Sequence, residues 1–194
     1  YFKIIKNLKI KKNIKILDYG SGFEPEIILN LYTILKKKNF KPEIICCDFY
    51  NFQQLSKLNN NTKKIKFVNL KDLEDIKKFD ISILSDVLHH VGVEKKEIDI
   101  IFKKLLKNSK FTILKDQFET NFFTRSILRI MDFIGNYYNN VEIPKKYFTK
   151  HGLEKKLKIL KINITKKFTS ISIYPRYFLF FSNPKLQFIY ILSK

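Results

Sequence analysis

The chain has 194 residues, of which 45% are hydrophobic, and a formal net charge of +20 at pH 7. This size predicts one domain with a packed core, spanning residues 1–194, and the hydrophobic fraction excludes an intrinsically disordered chain. No apolar run reaches the roughly 18 residues that a transmembrane helix needs, and no signal-peptide pattern is visible, so we expect a cytoplasmic protein. Because the first residue is Tyr1 and not methionine, we expect that part of the N-terminus is missing.

The positive charge comes almost entirely from lysine, and the lysines are spread over the whole chain. A basic surface is typical of proteins that bind nucleic acid or anionic lipid. Here, however, alanine is absent, and Lys, Ile, Asn and Phe are abundant, which is typical of an AT-rich coding sequence. We attribute the charge mainly to that bias and keep a polyanionic partner such as nucleic acid as the alternative.

Apolar segments with the length and composition of strands recur along the first 117 residues. They are residues 14–19, 42–49, 64–70, 79–87 and 110–117. Apolar residues at helical spacing lie between them, in residues 25–38 and 94–108, and a shorter helix is predicted after residue 51. This alternation predicts an α/β fold that is Rossmann-like and doubly wound, with a mostly parallel sheet.

The pattern changes after the fifth predicted strand. Residues 121–144 predict a helix followed by a loop, and Thr149 is the predicted N-cap of a further helix. Two strand-like runs then follow, at residues 164–174 and 186–193. Since turn residues separate these two runs, they predict an antiparallel pair at the end of the chain.

Gly20 and Gly22 follow the first strand in the stretch KILDYGSGFEPE and lead into the first helix. Glycine permits positive φ and close approach of a ligand, and a helix N-terminus offers free N–H groups. Asp48 closes the second strand, where an acidic side chain can accept hydrogen bonds from both hydroxyls of a ribose. These residues predict a site for an adenosine-containing ligand.

Two features discriminate among adenosine ligands. The pyrophosphate-binding fingerprint has a third glycine, and Pro25 occupies that position here. Glu24 and Glu26 also bring negative charge to the start of the helix, where it would repel a diphosphate. A ligand with no phosphate and a positive centre suits this site better, and S-adenosylmethionine (SAM), a sulfonium with an amino-acid tail, is such a ligand. An NAD-dependent oxidoreductase is the less favoured interpretation.

In the order and spacing of these segments, the chain resembles the class I SAM-dependent methyltransferases. ILDYGSGFE is similar to their first motif, CCDF to the segment with the ribose-binding acid, FVNL to the third motif and FDISILSDVLHHV to a VLHHV-type fourth motif. FTILKDQ is similar to the fifth strand, so the resemblance covers about residues 14–117. It implies a seven-stranded sheet with the last strand antiparallel, and we interpret residues 118–147 as a helical lid inserted after strand five.

The resemblance also implies a set of residues that bind the cofactor. They are Asp18, Tyr19, Gly20, Ser21, Gly22, Glu24, Asp48, Phe49, Asn69, Leu70, Ser85 and Asp86. It implies that Asn69 lies near the adenine, and that Ser85 and Asp86 lie by the methionine or methyl end. Glu24 departs from the family, which has a third glycine there; its side chain either crowds the methionine end or bonds the cofactor's ammonium.

Methyl transfer is an in-line displacement, and it needs a general base only if the acceptor atom must lose a proton. His89 and His90 follow strand four and Asp116 ends strand five, so these three are the candidate catalytic residues. The alternatives are a packed position for one histidine, a chance surface position for the other and a capping role for Asp116. We expect no metal site from the two histidines, because the side chains of adjacent residues diverge.

The predicted lid is rich in aromatic residues, which favours a substrate cover or, alternatively, packing on the sheet. Arg125 and Arg129 are four residues apart and share one helix face. Together with Tyr137 they are candidate substrate-binding residues, because arginine suits a carboxylate or a phosphate. The alternatives for the arginines are a solvated face or a local ion pair with Asp132.

We therefore expect a methyltransferase that acts on a small-molecule or lipid-like acceptor, since a lid suits a compact substrate. One alternative is an RNA or protein methyltransferase that uses the lysine-rich surface. Against it, the chain has SDVLHH where RNA enzymes that act on bases often have Asn/Asp-Pro-Pro-aromatic. A further alternative is a degenerate fold that binds SAM or a protein partner without turnover, suggested by Glu24 and the few glycines.

Overall fold

The structure is a computed structural model. It describes residues 1–8, 10–22, 26–48, 65–70, 73, 78–137, 141–171 and 183–194. The strands are β1 (Asn13–Tyr19), β2 (Lys41–Asp48), β3 (Ile65–Asn69), β4 (Phe79–Ser85), β5 (Ser109–Gln117), β6 (Asn163–Thr169) and β7 (Gln187–Ser193). The helices are α1 (Phe2–Asn7), α2 (Glu26–Lys37), α3 (Leu88–Val91), α4 (Glu97–Asn108), α5 (Phe122–Asn136) and α6 (Lys150–Ile159), and a 3₁₀ turn spans Pro184–Leu186.

The seven strands form one sheet in the order β3-β2-β1-β4-β5-β7-β6. β1 pairs with β2, and β2 with β3, in parallel, whereas β7 is antiparallel to both β5 and β6. The predicted α/β class is therefore confirmed, as is the mostly parallel seven-stranded sheet with an antiparallel last strand. Residues 164–174 were predicted as the sixth strand; β6 ends at Thr169, and residues 172–174 lie outside the described residues.

The chain forms two compact units, residues 1–83 with 108–111 and residues 84–107 with 112–194. In the first unit, β2 and β1 are buried along most of their length, as is typical of parallel strands covered on both faces. α2 contacts β2 and buries Ile28, Leu31 and Leu35, which helical spacing brings onto one face.

The end of α2 is fixed by a local backbone motif. Asn39 takes the left-handed conformation, with φ of 61°. The N–H of Phe40 then donates to the carbonyl of Leu35 at 3.0 Å, and the N–H of Asn39 donates to that of Lys36 at 3.0 Å. This pair of bonds satisfies carbonyls that a helix end leaves free, so the chain leaves α2 in a defined direction toward β2.

The second unit has its own apolar core. α4 buries Ile98, Ile101, Phe102, Leu105 and Leu106. β7 contributes Phe188, whose ring stacks on Phe118 with the centroids 4.0 Å apart. β6, at the edge of the sheet, is exposed along most of its length, including Lys166 and Lys167, and lysine on an edge strand discourages pairing with another chain.

The predicted helix-and-loop insertion after β5 is present as α5 and the segment that follows it. The side chain of Asn121 accepts a hydrogen bond from Thr124 N, and Thr124 returns one, which forms a capping box at the start of α5. Only Leu128 and Asp132 of α5 are buried. Large apolar side chains are exposed along the same helix and just after it, at Phe122, Phe123, Ile130, Phe133, Ile134 and Tyr137.

Thr149 caps α6 as predicted, since its hydroxyl oxygen accepts a hydrogen bond from Gly152 N at 3.0 Å. The short helix α1, which buries Ile4 and Ile5, was not predicted from the sequence. The helix predicted after residue 51 lies outside the described residues. Among the described helices, none is both long and apolar enough to cross a membrane.

Candidate functional site

Three of the predicted cofactor-binding residues lie at the ends of neighbouring parallel strands in the first unit. Asp18 is the penultimate residue of β1, and Asp48 and Asn69 are the last residues of β2 and β3. Asp48 is directly paired with Asn69 in the parallel register. These strand ends form the edge at which doubly wound sheets bind ligands. Asp18 and Asp48 are buried, whereas Asn69 and Leu70 are half-buried.

The glycine turn after β1 is tied to the end of β2. Gly20 and Gly22 both have positive φ, 76° and 69°, so each uses a conformation that favours glycine. The N–H of Gly20 donates to the carbonyl of Cys47 at 2.8 Å, and the N–H of Gly22 donates to Oδ2 of Asp48 at 2.8 Å. A Cβ added to Gly22 would have no atom of the described residues within 4 Å.

The side chains of Asp18 on β1 and Asp48 on β2 are both buried. Burial, and next the charge of Asp48, raise the pKa of Asp18 to about 7. Burial also raises the pKa of the Tyr19 hydroxyl to about 12, with smaller contributions from Cys47 and Asp48. A site with two buried carboxyls favours a ligand that brings positive charge. The predicted cofactor contacts Glu24 and Phe49 lie outside the described residues.

Ser85 and Asp86 belong to the second unit, where the chain turns after β4. Asp86 has a φ of 55°, and its N–H donates to the carbonyl of Lys115 at 2.9 Å. The ammonium of Lys115 also forms a close ion pair with Oδ2 of Asp86, and Ser85 Oγ donates to the same oxygen at 3.3 Å. Lys115 is buried on β5 and was not singled out by the sequence. The ion pair between Lys115 and Asp86 fixes the direction of the turn that leads into α3.

His89 and Asp116 are brought together in the second unit, as the sequence predicted for residues that follow β4 and end β5. His89 Nδ1 lies 2.5 Å from Asp116 Oδ1, and the side chains are 1% and 0% exposed. Burial lowers the pKa of His89, but the charge of Asp116, with further contributions from Asp132 and Asp86, outweighs it and raises the pKa to about 9. Burial alone would raise the pKa of Asp116, yet the charge of His89 holds it below its usual value.

Asp132 and Tyr147 complete this cluster, and sequence reasoning did not assign either of them a role in it. The hydroxyl of Tyr147 donates to Oδ2 of Asp132 in a short hydrogen bond. The same oxygen lies 3.5 Å from His89 Nε2. One sequence signal points to Asp132: it follows Leu128 by four residues, so helical spacing puts an acid on the apolar face of α5.

His90 differs from its neighbour because its ring reaches the surface. It lines a cavity of about 300 Å³ together with Gly92, Glu142, Pro144 and other residues of the second unit. Its Nδ1 lies 3.2 Å from the carbonyl oxygen of Glu142. Burial lowers the pKa of His90, and the charge of His89 lowers it further. Contrary to the expectation that adjacent side chains diverge, the His89 and His90 ring centroids are 4.2 Å apart.

The three predicted substrate-binding residues lie on α5 or directly after it, and only one of them, Arg125, is described with an ion-pair partner. Arg125 binds Glu119 through two hydrogen bonds, from Nε at 2.7 Å and from Nη2 at 2.6 Å. Glu119 also accepts a hydrogen bond from the N–H of Tyr147 at 3.0 Å. The local partner of Arg125 is therefore Glu119, and not Asp132 as one alternative had it. Arg129 and Tyr137 are exposed.

No protein-family model matches the sequence, and no curated protein matches it. Solved structures do match the fold. Magnesium protoporphyrin IX methyltransferase (ChlM) from Synechocystis, solved with bound SAH, has a TM-score of 0.60 at 14% identity, with 100% of this chain and 79% of that chain covered. A cyclopropane-fatty-acyl-phospholipid synthase-like protein from Lactobacillus casei has a TM-score of 0.60 at 10% identity, with 99% and 88% covered.

A third similar structure is LepI in complex with SAM, with a TM-score of 0.64 at 11% identity. The match covers 93% of this chain and 43% of that chain, so the chain spans less than half of the LepI chain. These likenesses show that the chain has the fold of the SAM-dependent methyltransferases. At identities of 10 to 14%, they concern the fold and not the substrate.

Proposed function

We propose that this chain is a SAM-dependent methyltransferase that acts on a small-molecule or lipid-like acceptor, with residues 1–194 working as one domain. The observation that carries the proposal is the hydrogen bond from Gly22 N–H to Asp48, because it joins the glycine turn to the acid that closes β2. An ionised carboxylate such as Asp48 only accepts hydrogen bonds, so it is chemically matched to the donor hydroxyls of a ribose. The residues present thus fit the adenosine part of SAM.

The two buried carboxyl groups of the first unit also favour SAM over a dinucleotide as the ligand. The buried Asp18 and Asp48 carboxyls would repel a diphosphate and would be stabilised by a cation. SAM supplies a methyl group on a positively charged sulfur. No described residue comes within 4 Å of a Cβ built on Gly22, which leaves room among these residues for a ligand to approach the backbone. We retain Tyr19, Gly20, Ser21, Asn69, Leu70, Ser85 and Asp86 as proposed cofactor contacts.

On the acceptor side, we propose different roles for the three candidate catalytic residues. His90 lines the cavity, so it is the residue that could contact an acceptor there and take its proton. His89 also borders the cavity, but its side chain is only 1% exposed and that of Asp116 is fully buried, so we propose these two as positioning residues behind His90. The large exposed apolar side chains of α5 support a lid over an apolar acceptor, with Arg129 and Tyr137 as its proposed polar contacts.

The proposal is tested by turnover. The purified chain is incubated with SAM and with a panel of small hydroxylated or carboxylated compounds and lipids, and SAH and the methylated product are followed by mass spectrometry. The proposal predicts SAH formation that depends on one class of acceptor and that falls strongly in Asp48→Asn. SAH formation that depends only on added RNA would favour the nucleic-acid alternative, and none with any acceptor would favour a non-catalytic fold.

A further inference from the structure

The Nε2 atom of His89 is buried and makes no hydrogen bond to any residue in the described part of the chain. The other ring nitrogen, Nδ1, is held by Asp116 at 2.5 Å. When Asp116 accepts the Nδ1 proton of the neutral ring, the lone pair lies on Nε2. A buried imidazole with one nitrogen fixed by a carboxylate and the other open is the arrangement in which histidine binds metal ions.

The distances around Nε2 fit a bridging ion better than a hydrogen bond. Asp132 Oδ2 lies 3.5 Å from His89 Nε2, whereas N–H···O bonds span about 2.7 to 3.2 Å. Two ligand atoms that each lie about 2.1 Å from a tetrahedral zinc ion are about 3.4 Å apart. His90 contributes a third ligand atom, and the three atoms of His89, His90 and Asp132 all lie within 4.8 Å of one another.

Each of these three side chains also has a polar partner outside the set of three. Asp116 holds His89, and the backbone carbonyl of Glu142 lies 3.2 Å from His90 Nδ1. The hydroxyl of Tyr147 donates to Oδ2 of Asp132, the same oxygen that faces His89 Nε2, and a carboxylate oxygen can accept this bond and also bind an ion. Metal-binding histidines and carboxylates usually have such outer partners, which fix the tautomer and orientation of the ligand.

From this geometry we infer that His89, His90 and Asp132 form a binding site for a divalent transition-metal ion, best matched by Zn²⁺. Two imidazoles and one carboxylate are a zinc ligand set that leaves a fourth position open. Because His90 lines the cavity of about 300 Å³, that position can be filled by water or by a small molecule. The carboxylates of Asp116 and Asp132 lie on opposite sides of the His89 ring, and their negative charge favours a cation there. With the ion bound, the lone pair of His90 is occupied, so the role of proton acceptor proposed above for His90 applies to the metal-free chain. Metal binding does not rest on the proposed methyl transfer.

The test is a titration of the whole chain, stripped with EDTA and dialysed, with ZnCl₂ in a calorimeter and with CoCl₂ in a spectrophotometer. We expect one equivalent of either ion to bind, and the Co²⁺ complex to absorb in the visible range. His90→Gln should weaken Zn²⁺ binding by about 100-fold or more, and Tyr147→Phe by about 10- to 100-fold. The matched control is His151→Gln, because His151 is exposed on α6 outside the cluster; it should bind Zn²⁺ as the wild type does.

The inference is overturned if the wild-type chain binds no Zn²⁺ up to about 1 mM. It is also overturned if His90→Gln binds as the wild type does, or if His151→Gln abolishes binding. Circular dichroism of each variant verifies that it is folded, and His90→Gln is chosen because the half-buried His90 tolerates substitution better than His89. A SAM titration of the same sample reports separately on the proposed function, so either result can fail without the other.

Discussion

His89 Nδ1 and Asp116 Oδ1 lie 2.5 Å apart, with both side chains almost completely buried. Two strand ends supply this pair, since His89 follows β4 in α3 and Asp116 lies at the end of β5. A buried charge without a partner destabilises the folded state, and here the imidazole ring and the carboxylate compensate each other's charge. We therefore regard it as the element that orients the neighbouring His90 ring.

Breaking this pair should destabilise the chain strongly. Asp116→Asn removes the charge that compensates the His89 ring, and removing one partner of a buried ion pair costs about 3 to 5 kcal/mol. Urea unfolding at pH 7 measures the change. Glu94→Gln is the matched control, because Glu94 forms an exposed ion pair with Lys146 and such pairs contribute about 0 to 1 kcal/mol. Equal losses in the two variants would contradict the account.

The raised pKa of Asp18 predicts a pH dependence of stability. Its pKa is about 7 in the folded chain, against 3.8 for an aspartate that is fully exposed to water, so the folded state holds this proton more tightly than the unfolded state. The stabilisation that comes from this tighter proton binding is complete below pH 3.8. As the pH rises to about 7, the folded state loses roughly 4 kcal/mol of it. Asp18→Asn should remove that slope, so the variant should be the more stable protein at pH 8. Parallel wild-type and variant curves from pH 5 to 8 would refute this.

Gly22 and Gly135 should respond to alanine in opposite ways, although in both cases a built Cβ has no described residue within 4 Å. Gly22 has φ of 69°, so Gly22→Ala should cost about 1 to 2 kcal/mol of strain. Gly135 lies in α5, and a Cβ there would meet nothing within 4 Å among the described residues. Gly135→Ala should stabilise the chain by about 0.5 to 1 kcal/mol. Thermal melts measure the change in stability of each variant. A change of the same sign in both variants would argue against the positive φ of Gly22 in the turn.

Glu119 connects Arg125 to the backbone of Tyr147 through three hydrogen bonds. Glu119→Ala should destabilise the chain by about 1.5 to 3 kcal/mol, because it leaves the Tyr147 N–H and the guanidinium without their acceptor. Glu94→Ala is the control, since Glu94 and Lys146 form an exposed pair. Chemical unfolding of both variants at pH 7 tests the prediction, and an equal, small loss in both would contradict it.

The fold was largely predictable because its signals are local. Apolar runs of strand length, helical spacing in α2 and α4 and the turn residues before β7 each act over a few positions. The glycine turn could be predicted for the same reason, since Gly20, Gly22 and Asp48 mark the ends of strands. α1 was missed because six residues provide too short a pattern for helical periodicity.

The histidine cluster was only partly predictable. Asp116 and His89 could be expected together because each follows a strand of the same sheet. Asp132 lies 43 residues beyond His89, by the difference of the residue numbers, and its approach depends on how α5 packs, which no short pattern encodes. The partner of Arg125 was missed for a related reason: Glu119 precedes the helix, outside the i to i+4 spacing that predicts ion pairs along one face.

The central claim, that the glycine turn and Asp48 bind SAM, is tested most directly by isothermal titration of SAM into the purified chain. We predict saturable binding that Asp48→Asn weakens by about 10- to 100-fold, because ribose loses hydrogen bonds to a charged acceptor. Asp80→Asn, which alters an acid at the opposite end of β4 from the strand-end edge, should bind SAM as the wild type does. No heat from the folded wild-type chain at high SAM concentration, or unchanged affinity in Asp48→Asn, would contradict the claim.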